Sequence, residues 1–70
     1  MKRVVIYGKD NCPFTTNARK SYEKQGYDVE YVNVIGSSDA MEAMLRASGG
    51  MRKVPVIVEG DSCTVGFGGT

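Results

Sequence analysis

The stretch RVVIYGKDNCPFT, residues 3–15, decides how the rest of the chain is read. Arg3 to Tyr7 is a β-branched and aromatic run closed by Gly8, short and apolar enough for a strand buried on both faces. Pro13 suits the first turn of a helix, where its missing N–H is no loss, and Phe14, Ala18 and Tyr22 recur every fourth residue as the expected buried stripe. Gly26 is the expected stop. A strand followed at once by a helix places Cys12 in the turn between them, immediately before the helical N–H groups that lack partners.

Working outward, Tyr27 to Val34 alternates apolar and polar residues as a second strand does. Gly36 to Asp39 is a turn with N-cap candidates, and Met41, Met44 and Leu45 form the stripe of a second helix that Gly49 and Gly50 end. Val54 to Val58 is the most apolar run, Glu59 to Ser62 a hairpin turn, and Cys63 to Phe67 the returning strand. The order is β-α-β-α-β-β. A right-handed crossover makes the first two strands parallel and the hairpin makes the last pair antiparallel, so the expected fold class is α/β, a mixed four-stranded sheet with helices on its faces. Residues 1–70 are expected to form a single domain.

Composition excludes several functions. Nine basic and eight acidic residues give a net charge of +1, which supplies no broad field for nucleic acid or an anionic bilayer. There is no histidine, which removes the commonest general base and metal ligand. Two cysteines are too few for a disulfide scaffold, no leader-like or membrane-length apolar run is present, and a cytoplasmic location and a monomer are expected.

What remains is thiol chemistry. A sulfur facing the first N–H groups of a helix and the positive end of its dipole is stabilised as thiolate, and cysteines so placed ionise well below the usual value of about 8.5. Cys12 lies among Asp10, Asn11 and Pro13, polar company that predicts enough exposure to react. Lys9 adds a nearby charge, although a solvated loop lysine reads equally well from spacing alone. Thr15 stands where the second thiol of a C-x-x-C pair would be, and its hydroxyl has two readings, a donor to the Cys12 sulfur or a partner for the first helical turn. Cys63, a strand separated from Cys12, is out of disulfide range and reads as a structural cysteine. Pro55, inside an apolar run, makes Val54-Pro55 a candidate cis bond.

Three segments, YGKDNCPFT, GMRKVPVIVEG and VGFGG, together resemble the signature segments of glutaredoxins in order and spacing, across nearly the whole chain. The combination C-P-F-T with a Gly-Gly end is also similar to a group of small bacterial glutaredoxin-like proteins, some of which carry selenocysteine at the position of Cys12. The resemblance implies a thioredoxin-like fold without its closing C-terminal helix, and an oxidoreductase in which Cys12 attacks mixed disulfides. It further implies glutathione as co-substrate, with nothing bound permanently, lying beside Pro55: Val54 pairing with its cysteinyl portion, Lys9 and Arg52 with its glycine carboxylate, and Gly66, Phe67 and Gly68 approaching its γ-glutamyl end. Glutathionylated or disulfide-containing proteins are then the partners. Lys53, where the family usually has Thr, departs from the pattern. So does Thr15, which makes the chain monothiol. Two alternatives stay open: peroxide reduction through a sulfenic state of Cys12, and a non-enzymatic module holding a [2Fe–2S] cluster.

Overall fold

The computed structural model describes residues 2–67, with strands β1 (Arg3–Gly8), β2 (Asp28–Asn33), β3 (Val56–Glu59) and β4 (Ser62–Val65) and helices α1 (Pro13–Lys24) and α2 (Ser38–Ser48). The sheet order is β2-β1-β3-β4. β1 runs parallel to β2, with Tyr7 opposite Val32 and Gly8 opposite Asn33, and antiparallel to β3, with Tyr7 opposite Val56. β3 and β4 form the expected hairpin around Gly60 and Asp61. The fold is therefore the expected thioredoxin-like mixed sheet.

Alternation along the strands assigns the two faces. Val4, Ile6 and Ile57 are sealed with Ala18 beneath α1, and Tyr22, Tyr27, Val29 and Phe67 close the edges of that cluster. Val34, Met44 and Val56 form the second cluster beneath α2, with Tyr7, Met41, Leu45 and Val65 around them. Strand β1 was expected to be buried on both faces, but only one is sealed. Val4 and Ile6 are inaccessible while Val5 and Tyr7 are half-buried, because α2 lies over β3 and β4 rather than over the sheet centre.

The α1 stripe also differs from expectation. The residues that face the sheet are Thr15, Ala18 and Tyr22, whereas Phe14 points outward. With Pro13 at the first helical position, the turn of the helix brings residue 15 rather than 14 over the strand. Helix α2 is capped as its sequence suggests: the Ser37 hydroxyl accepts from the Ala40 N–H at 3.2 Å, and Gly49 ends it with φ 72°. Strand β3 starts at Val56, two residues later than expected, since Pro55 has no N–H and follows a cis bond from Val54. Strand β4 ends at Val65, before a glycine at φ 91°.

Candidate active site

Parallel pairing of β1 with β2 and antiparallel pairing with β3 bring three connections to one end of the sheet: residues 9–12 after β1, 34–37 after β2 and 49–55 before β3. Cys12 sits there as the N-cap of α1, with extended backbone (φ −100°, ψ 114°). Its carbonyl already accepts the Thr16 N–H at 3.0 Å, and its own N–H reaches back to the Lys9 carbonyl at 3.4 Å. The turn therefore fixes the sulfur at the mouth of the helix.

Polar neighbours in the sequence suggested an exposed thiol, yet Cys12 is only 7% exposed. Its side chain makes no regular cap bond to the helix, as befits a neutral thiol, which is a weak acceptor. The charged form gains more. The Thr15 hydroxyl holds the Cys12 thiol below its ordinary value, against the opposing effect of burial, with further help from the backbone N–H groups of Thr15 and Phe14 and from the charge of Lys9. Thr15 itself is 1% exposed and its hydroxyl has no partner of ordinary hydrogen-bond geometry. Of the two sequence readings of Thr15, the partner for the first helical turn is not seen, because the helical backbone does not take the hydroxyl.

Pro55 is buried at the same end. Continuing the β1–β3 register by one residue from Tyr7 and Val56 sets Pro55 opposite Gly8, on which Thr15 packs. Val54 is half-buried against the α2 cluster. Lys9 is exposed, without an ion pair among the described residues, and lines a cavity of 420 Å³ with Asp10, Asn11, Asn33 and Ile35. Arg52 is exposed in the loop before β3, on the opposite side of β1 from that cavity.

The glycine turn departs from its expected part. The Gly66 N–H, in the turn expected to approach the γ-glutamyl end of glutathione, donates to the Pro55 carbonyl at 2.7 Å, and Phe67 packs on the α1 cluster. Gly68 lies outside the described residues. Cys63 is free and exposed on β4, opposite Val58.

One group escaped the sequence reading. Tyr31 donates to the Asp10 carboxylate at 2.8 Å, and the Arg19 guanidinium lies 4.1 Å from its ring centre. Burial, then the bond to Asp10 and its charge, push the Tyr31 phenol up to about 12. This tether anchors the residues before Cys12 to β2 and occupies the one acid beside Lys9. No motif marks it, because Asp10 and Tyr31 meet only through the sheet.

The glutaredoxin family model matches residues 4–63. The chain belongs to the glutaredoxin family. Among curated proteins, this glutaredoxin is 37% identical over 65 residues to the glutaredoxin-like protein NrdH of Escherichia coli K12, a match covering 93% of this chain and 78% of that one. Of solved structures, NrdH-redoxin from E. coli superposes with a TM-score of 0.79 at 36% identity, covering 94% of this chain and 84% of the other. A glutaredoxin from Archaeoglobus fulgidus gives 0.81 at 26% identity, covering 97% and 78%. The protein is accordingly a glutaredoxin-like thiol oxidoreductase, and among its described residues no helix is long and apolar enough to cross a membrane.

Proposed function

We propose that this glutaredoxin performs monothiol exchange through Cys12. The Cys12 thiolate attacks one sulfur of a disulfide, forming a new S–S bond as the old one breaks, and the departing thiolate takes a proton from solvent. A thiol from solution, as its thiolate, then attacks the other sulfur of that mixed disulfide, forming a second disulfide and releasing Cys12 as thiolate. The observation carrying this reading is that a hydroxyl, Thr15, lies where a resolving thiol would be, while Cys63 sits away on β4. Glutathione is the proposed resolving thiol. Its glycine carboxylate suits the Lys9 side of the site, where Asp10 is already engaged by Tyr31 and the amides of Asn11 and Asn33 line the same cavity.

A specific observation favours protein-borne disulfides as the oxidised substrates. The large apolar side chains exposed among the described residues are Phe14, Ile35 and Met51, at 37%, 61% and 49% exposure, and all three lie in segments gathered at the Cys12 end. A relative at 36% identity is described as having a thioredoxin-like activity profile, in keeping with protein substrates. Turnover of a glutathionylated protein with glutathione as the only reductant tests both parts. Activity lost in Cys12→Ser and kept in Cys63→Ser is expected. Turnover in Cys12→Ser would refute the nucleophile, and turnover only with a protein dithiol in place of glutathione would refute the co-substrate.

A further inference from the structure

Gly8 separates Tyr7 from Lys9 in the active-site segment. Backbone conformation does not ask for glycine there, because Gly8 is absent from the residues with positive φ and forms an ordinary end to β1, opposite Asn33. Space does. Alternation along β1 points residue 8 to the same face as Val4 and Ile6, the face on which the first turn of α1 descends. A Cβ on Gly8 would stand 2.4 Å from Thr15 Cγ2, 2.6 Å from Oγ1 and 3.0 Å from Cβ. Carbon atoms in contact normally keep about 3.5–4.0 Å, so this atom and Thr15 cannot both occupy their places.

Thr15 has little room to yield. It is 1% exposed, and χ1 of a β-branched residue in a helix is confined to few rotamers. Any Cβ at residue 8 therefore drives the hydroxyl from its present seat. That seat leaves Oγ1 without an ordinary partner, and the support the Thr15 side chain gives the Cys12 thiolate names the sulfur as the group beside it to serve.

We propose that Gly8 is a positioning residue: the space of its missing side chain seats Thr15, and this seat aims the Thr15 hydroxyl at the Cys12 sulfur. Residues 8 and 15 are thus a size-matched pair in which the strand gives up a side chain so that a threonine, larger than cysteine, can stand under the nucleophile. The inference rests on Cys12 being the reactive thiol, but its readout is ionisation of that thiol, which stays measurable whether or not glutathione is the co-substrate.

The test is a double-mutant cycle in a Cys63→Ser background, comparing the parent with Gly8→Ala, Thr15→Ala and Gly8→Ala/Thr15→Ala. The alkylation rate of Cys12 is followed against pH with iodoacetamide, and folding is followed by circular dichroism. Displacing a donor to the thiolate is expected to slow alkylation on the acid side of the profile by about tenfold in Gly8→Ala. Thr15→Ala is expected to slow it similarly, and the double variant to be no slower than Thr15→Ala alone, because Gly8→Ala has no hydroxyl left to move. A folded Gly8→Ala with the parent's profile overturns the proposal, as does a Gly8→Ala effect of equal size in the Thr15→Ala background. If Gly8→Ala fails to fold, the double variant decides: recovered folding supports the paired seat, and continued failure refutes it.

Discussion

Thr15→Val keeps the branched shape of the side chain and removes one hydroxyl, with two effects of opposite sign. At low pH, where Cys12 is a thiol, the parent buries a hydroxyl without an ordinary partner. Such burial costs about 1–3 kcal/mol, and the sulfur returns part of it, so valine should stabilise the acid form by about 1 kcal/mol. For a domain of this size that is about 4–8 °C in Tm. At high pH the same hydroxyl donates to an anion, an interaction of about 1.5–3 kcal/mol. Taking the lower bound, valine should favour the thiol form by about 1 kcal/mol and disfavour the thiolate form by about 1.5 kcal/mol, so the thiolate population at acid pH should fall. The sign follows from linkage. The folded-state pKa of Cys12 lies below the ordinary thiol value, so the unfolded chain binds the proton more tightly, and parent stability rises with pH from the folded pKa up to the unfolded value of about 8.5. Valine flattens that rise, and with a gain of about 1 kcal/mol against a loss of about 1.5 the two stability curves cross. Thermal unfolding and Cys12 alkylation, each measured from about pH 5 to about pH 9, are the assays. A variant less stable than the parent at the acid end, or one with an unchanged alkylation profile, would refute the account of Thr15.

Other outcomes follow from the same structure. The Tyr31 phenol should ionise near pH 12 in a spectrophotometric titration and lower in Asp10→Asn; because its folded pKa is raised, the stability it confers is complete below about 10 and disappears as pH climbs towards 12. Met44→Ala, at a residue 1% exposed in the α2 cluster, should cost about 2–5 kcal/mol in denaturant unfolding. Ser37→Ala removes the cap on Ala40 and should cost about 1 kcal/mol by the same measurement, without changing the pH profile of Cys12.

The order of elements and the place of Cys12 were legible because they depend on local chemistry: β-branched runs, a proline at a helix start, glycines at stops. Ser37 and Gly49 behave as their types suggest for the same reason. Facing was less legible. Phe14 and Thr15 differ by one helical step of about 100°, and apolarity favoured the wrong one because the space at Gly8 takes Thr15 into the buried position. The hold of Tyr31 on Asp10 and the fit of Gly8 to Thr15 are contacts between different elements, and no spacing rule encodes them. The engagement of Gly66 with Pro55 was invisible for the same reason, since a glycine turn that greets a ligand and one that braces a loop have the same composition.

That brace has a practical side. The Gly66 N–H and the Pro55 carbonyl, 2.7 Å apart, tie the carboxyl-terminal turn to the loop bordering Cys12, so a fusion or surface tether attached after Phe67 would pull on the reactive end of the molecule. The residues entering β1 at Lys2 and Arg3 lie at the opposite end of the sheet from Cys12. Handles for immobilisation or labelling belong there.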